Sequence, residues 1–82
     1  MYDFIFYEKA RNSFDKLPAD LKGRILSVFE RIKLRPFHFT KRKEGSPYFI
    51  ARIGEYRAIL DISQKESIIY VVEIGHRKNI YD

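Results

Sequence analysis

The spacing of apolar positions changes along this chain, and each change marks an element. Tyr2 to Tyr7 is aromatic and apolar at nearly every residue, which predicts a first strand, placed inside a sheet if both faces are covered. From Glu8 to Leu17 the apolar residues Ala10, Phe14 and Leu17 recur at i, i+4 and i+7, with Lys9, Arg11, Asn12 and Lys16 between them. That spacing predicts a short helix. Pro18 breaks it and suits the first turn of a second helix, where Asp20 complements the helix dipole. Leu21, Ile25, Val28, Phe29 and Ile32 give that helix one apolar stripe to about Leu34. Arg35-Pro36 ends it, because proline disfavours helix at the residue before it. Gly23 inside this helix costs about 1 kcal/mol relative to alanine, and close packing against the first helix is its expected reason. A basic, irregular link then runs from Pro36 to Pro47 and includes Lys41-Arg42-Lys43.

The next stretch alternates. Tyr48 to Asp61 reads as two strands joined by Gly54-Glu55, a pair that fits a type II′ turn with glycine first. A two-residue turn fixes the register, so Ile53 faces Tyr56 and Arg52 faces Arg57. One face then carries Phe49, Ala51, Ile53, Tyr56, Ala58, Leu60 and Ile62 and is the expected core face. The arginine face is the expected open one. Like charges directly across a strand pair are destabilising, so Arg52 and Arg57 call for an offset, either a carboxylate within the fold or an external anion such as phosphate. Ser63 to Ser67 is a polar turn. Ile68 to Ile74 is a last strand, nearly all apolar and therefore central or covered on both sides. Gly75 closes it, before a short tail from His76 to Asp82.

The expected fold is therefore α+β in a single domain over residues 1–82: a strand, a helical hairpin, then a three-stranded antiparallel meander, with the helices packed on one face of a mainly antiparallel sheet. At 82 residues, 45% hydrophobic and 16% aromatic, the chain supports one packed core rather than disorder. The net charge of +5 and pI near 9.6 point to an anionic partner, nucleic acid or an acidic protein. Cysteine is absent, which excludes disulfides and thiolate metal sites. The N-terminus has no basic n-region, no run is long enough to span a membrane, and the cytoplasm is the default placement.

The meander returns the last strand beside Arg57. His76, Arg77 and Tyr81 are thereby expected near Arg52 and Arg57. Arginine suits bidentate phosphate contact and stays protonated, so this patch fits RNA backbone, or the added charge of a phosphorane. No carboxylate pair at acid/base spacing, metal-ligand cluster, Ser-His-Asp set or P-loop stands in the sequence. Neither metal nor cofactor is expected, which leaves Tyr81 and His76 as acid/base candidates. Neighbouring arginines favour an ionised tyrosine. Lys41, Lys43 and Tyr48 extend the surface towards substrate, and Tyr48 and Tyr70 either stack on bases or fill sheet surface. Each residue also has a plainer reading: a solvated strand face for the arginines, a turn histidine, a C-terminal tyrosine lid, a solvated lysine loop. The residues alone lead to a basic, nucleic-acid-binding α+β domain.

Two motifs carry the reading further. Phe49-Ile50-Ala51-Arg52-Ile53-Gly54-Glu55-Tyr56-Arg57-Ala58-Ile59-Leu60 resembles the R-x-G-[DE]-Y-R core of RelE/ParE-type toxins. Gly75-His76-Arg77-Lys78-Asn79-Ile80-Tyr81 resembles that family's closing G-H-R-x-x-x-Y. The resemblance implies a type II toxin neutralised by a small acidic, helical antitoxin. RelE-like members cut mRNA in the ribosomal A site, so it also implies the 70S ribosome as partner and an endonuclease acting by 2′-hydroxyl attack on phosphate. By the same resemblance, Arg57 stabilises the transition state and Arg77 does so too or protonates the leaving oxygen. Arg52 holds the phosphate, and Tyr81 is a base or stacks. Some members carry a second cation where this chain has Ile50. ParE-like relatives poison DNA gyrase instead, and a relative that only binds RNA or antitoxin is a further alternative.

Overall fold

The computed structural model describes residues 1–80. The chain forms β1 (Asp3–Phe6), α1 (Glu8–Asp15), α2 (Ala19–Leu34), β2 (Lys41–Arg42), β3 (Phe49–Ile53), β4 (Tyr56–Ser63) and β5 (Ile68–His76). The five strands make one sheet in the order β1-β5-β4-β3-β2. β1 runs parallel to β5, and the remaining neighbours are antiparallel. The expected strand, helical hairpin and meander are all present, with the last strand inside the sheet between β1 and β4.

Strand pleating assigns each side chain to a face. Ala51, Ala58, Leu60, Ile69, Val71 and Ile74 turn towards the helices. There they join Ala10 and Phe14 of α1 and Ile25, Phe29 and Ile32 of α2 in one buried cluster. Phe4 stacks on Phe29 at 4.4 Å between ring centroids, and Phe6 meets Phe14 edge-on at 5.5 Å. A bulge keeps this face apolar along β5. Ile59 pairs with Glu73 and Leu60 with Val71, so Val72 is an extra residue. The insertion resets the alternation, and Val71 and Ile74 both reach the core. Full burial of a leucine or isoleucine contributes about 1.5–3 kcal/mol, and no polar or charged side chain is buried among the described residues.

Five expectations change. β1 lies at the sheet edge, not inside it, and Ile5 on its uncovered side is 45% exposed. Within the link, Lys41 and Arg42 form a two-residue strand against Ile50 and Phe49. So short and fully charged a strand shows no alternation to read. Gly23 does not mark a helix contact, since nothing lies within 4 Å of where its Cβ would stand. Finally, the arginine face is not an open polar sheet. Ile50, Ile59 and Ile80 are 3%, 7% and 5% exposed and lie outside the helix-side cluster. Ile50 and Ile59 are cross-strand partners on the arginine side, so this face has an apolar floor of its own. Phe49 and Tyr56, expected in the core, sit half-buried at the strand ends, Phe49 under Phe37 and Tyr56 against His76.

Candidate phosphate-binding site at the hairpin turn

The β3–β4 turn fixes the site. Gly54 has φ of 56° and no positive φ occurs at Glu55, the combination that a type II′ turn requires. Arg52 and Arg57 are therefore Cα partners, as the turn length predicts, and Gly75 is the next residue across the sheet. Arg57 Nη1 donates to the carbonyl oxygens of Gly54 and Tyr56, both at 2.9 Å. Two carbonyl dipoles thus take up part of the like-charge cost and hold this guanidinium at the turn.

The end of β5 closes on the same turn. The Arg77 amide donates to the Glu55 carbonyl at 2.7 Å, and Arg77 Nε lies 2.6 Å from Glu55 Oε2. Both side chains are more than half exposed, so the pair is worth at most about 1 kcal/mol. Among the described residues, Glu55 is a carboxylate at this turn, and it pairs with Arg77. His76 reaches the turn on the other side of the pleat, since it pairs with Tyr56 and not with Arg57. Its ring meets Tyr56 at 5.4 Å and 74°. Its Nδ1 accepts from the Lys78 amide at 3.1 Å, which places the proton on Nε2, 4.0 Å from Glu55 Oε2. His76 therefore has the turn geometry of its plainer reading and does not join the arginine row.

After β5 the chain folds back across that row. Asn79 N–H donates to the His76 carbonyl at 2.8 Å, and Ile80 Cδ1 lies 3.0 Å from where a Cβ on Gly75 would stand. Gly75 is thus a close-approach glycine that lets Ile80 pack beside Arg57. Tyr81, the acid/base candidate, lies outside the described residues.

Lys41 is the direct partner of Ile50, so its side chain stands on the arginine face one pleat repeat from Arg52. Lys43 and Tyr48 continue this ladder through a Lys43 N–H to Tyr48 carbonyl bond of 2.9 Å. Tyr70 shares the face at its far end, where it meets Tyr7 and donates to Glu66 at 3.0 Å. That hydrogen bond, with desolvation adding to it, raises its pKa above the ordinary value. Tyr70 is therefore held in place two rows from the arginines. No group of three metal-ligating side chains occurs among the described residues.

Two further arginines come from α2. Arg24 and Arg31, with Ser27 and Val28, line a cleft of about 300 Å³ whose other wall is Arg52, Ile53 and Gly54. Arg24 Nη2 lies 2.8 Å from where a Cβ on Gly54 would stand. The glycine thus provides both the turn conformation and the space for this guanidinium. The residues 24, 27, 28 and 31 follow the helical i, i+3, i+4, i+7 pattern of one face. Of these only Val28 belongs to the apolar stripe; the other three are polar, and periodicity alone reads them as the solvated side of the helix.

Comparison with known proteins gives a consistent result. Residues 4–81 match the family model of the ParE toxin of type II toxin–antitoxin systems. The chain is 28% identical to toxin RelG of Mycobacterium tuberculosis, over 98% of this chain and 95% of that protein. Its fold superposes on the RelBE2 toxin–antitoxin complex of Mycobacterium tuberculosis with a TM-score of 0.81 and 26% identity, covering 93% of this chain and 98% of that one. The archaeal RelE–RelB complex of Pyrococcus horikoshii gives a TM-score of 0.80 at 21% identity, over 96% and 98% of the two chains, a likeness of fold.

Proposed function

The chain belongs to the RelE/ParE-type toxins of type II toxin–antitoxin systems, and on that premise we propose that it is a ribosome-dependent endoribonuclease that cuts mRNA in the A site of the 70S ribosome. The observation that carries this reading is the arginine row at the hairpin turn. Arg52 and Arg57 are register partners, and Arg77 is anchored to the same turn through Glu55. In the proposed reaction the ribose 2′-oxygen attacks the adjacent phosphorus and the 5′-oxygen leaves. The products are a 2′,3′-cyclic phosphate and a 5′-hydroxyl. Tyr81 takes the 2′-proton, Arg57 stabilises the charge on the phosphorane, and Arg52 holds the phosphate. Arg77 stabilises the departing oxygen by a hydrogen bond. A guanidinium stays protonated and offers hydrogen bonds rather than protons, so water supplies the final proton. To reach RNA, Arg77 exchanges Glu55 for phosphate, a small cost for an exposed pair.

Ile50, where some family members have a second cation, is consistent with this reading. Lys41 stands directly across from it, and cross-strand partners have Cβ atoms about 5 Å apart. The cation in that row comes from the neighbouring strand. The proposal places the protein in the cytoplasm, where its target is. The similar structures from Mycobacterium tuberculosis and Pyrococcus horikoshii are complexes with an antitoxin. The proposed partner here is likewise a small acidic, helix-bearing antitoxin, suited to a chain of net charge +5.

The test is a cell-free translation reaction with mapping of mRNA 5′ ends. Wild-type protein should inhibit and leave new 5′ ends within reading frames. Arg57→Ala should lower the cleavage rate by about 10²–10³-fold, the usual cost of removing one transition-state donor, and Arg77→Ala should also impair it. Equal inhibition by wild type and both variants would sink the nuclease assignment. Inhibition of DNA supercoiling by gyrase, without mRNA cleavage, would establish the ParE-like alternative.

A further inference from the structure

Apart from Arg52, the residues of the cleft between α2 and the end of β3 have no part in the chemistry described above. β2 pairs with Phe49 and Ile50 of β3, so among the described residues the stretch from Ala51 to Gly54 is the free margin of the sheet. Three guanidinium groups, Arg24, Arg31 and Arg52, line the cleft there with the Ser27 hydroxyl. Arg24 and Arg31 come from one helix, seven residues apart and on one face, and Arg52 comes from the strand opposite. Arg24 also lies over the Gly54 turn whose carbonyl oxygen holds Arg57. The cleft therefore opens directly onto the arginine row.

We propose that this cleft is a second phosphate subsite, in which Arg24 and Arg31, with Arg52 shared between the two sites, grip a backbone phosphate next to the one at Arg57 and lead single-stranded RNA around the β3 edge onto α2. The chemistry favours phosphate. Each guanidinium is a planar fork suited to two phosphate oxygens, and the serine adds a neutral donor. The volume of about 300 Å³ suits one sugar–phosphate unit better than a folded segment. The inference rests on RNA being the substrate. It does not depend on cleavage, and binding of an RNA that cannot be cut separates the two.

The probe is a fluorescein-labelled, ten-nucleotide RNA with 2′-O-methyl groups throughout, which removes the attacking hydroxyl. Binding to the full chain is read by fluorescence anisotropy across a series of KCl concentrations. Each phosphate contact to single-stranded nucleic acid contributes a slope of roughly 0.7 in log K against log salt. Arg24→Gln/Arg31→Gln should flatten the slope by about 0.7–1.4 and weaken binding about ten-fold or more at low salt. Lys65→Gln, in the turn at the opposite end of β4, should change the slope little. Circular dichroism of the double variant should match wild type, since both arginines are exposed. If the double variant binds this RNA with the same slope as Lys65→Gln, the subsite does not exist. If it instead keeps RNA binding and loses only an acidic protein partner, the cleft is a protein-docking surface and the proposal is equally overturned.

Discussion

The two sides of this sheet are built from alternate residues of the same strands, yet they do opposite work. Ala51, Ala58 and Leu60 are fully buried beneath the helices, while Arg52 and Arg57 stand between them on the other side. On the helix side, stability comes from apolar area and ring packing, with no buried polar group among the described residues to satisfy. On the arginine side, like charges are brought together at a cost and held by carbonyl oxygens and a turn carboxylate. A one-residue slip of the hairpin would exchange the two sets. The register set by Gly54-Glu55 is therefore shared by the fold and by the proposed chemistry, and substitutions on the two sides should separate stability from activity.

The sharpest separation pairs Leu60 with Arg57. Leu60→Ala removes a fully buried side chain and should cost about 2–5 kcal/mol, a large share of the roughly 5–15 kcal/mol that holds a small domain folded. Urea denaturation should show a markedly lower midpoint, with activity per folded molecule retained. Arg57→Ala should do the reverse, leaving the midpoint within about 1 kcal/mol of wild type while the cleavage rate falls as given above. Comparable stability losses in both variants would mean that the arginine row supports the fold and that the two sides are not independent.

Most of the helix-side architecture was legible because it is periodic. Ala10, Phe14, Ile25, Phe29 and Ile32 repeat at helical spacing, and Ala51, Ile53, Ala58 and Leu60 alternate, so one pattern identified both elements and core. The pairing of Arg52 with Arg57 was equally legible, since a two-residue turn leaves no other register. What escaped lacked a local signature. Arg24 and Arg31 read as the solvated side of a helix, because nothing in α2 alone says that it passes the free edge of β3. Strand order puts His76 near the arginines, but the bulge at Val72 and the register with Tyr56 decide which side of the pleat it occupies. Ile50 and Ile59 stand on the arginine face in the alternation, and their burial there depends on tertiary cover that a pattern does not reveal.

Gly54 is where the two sides meet, and its substitution should have an intermediate effect. Its φ of 56° is left-handed backbone that costs an L-residue about 1–2 kcal/mol, so Gly54→Ala should be destabilised by about that amount. The new Cβ would also meet Arg24 Nη2 at 2.8 Å, but a guanidinium at the end of a flexible side chain moves aside easily. The double variant Gly54→Ala/Arg24→Ala should accordingly recover only a few tenths of a kcal/mol in urea denaturation, the scale of an ordinary surface change. Full recovery would show that Arg24 is held rigidly over the turn and that the strain is steric rather than conformational.

The smallest effect is a gain. Gly23 lies in the exposed middle of α2 with nothing within 4 Å of a Cβ, so no packing reason keeps a glycine there. Gly23→Ala should stabilise by about 1 kcal/mol through helix propensity, which raises Tm by about 4–8 °C for a domain of this size. The substitution leaves Arg24, Arg31 and the arginine row chemically unchanged. RNA binding and cleavage should therefore stay at wild-type levels while the thermal midpoint rises. A rise in Tm with reduced RNA binding would show instead that the arginines of α2 reach phosphate only when the helix yields at Gly23, and stability on the helix side would then be coupled to function across the cleft.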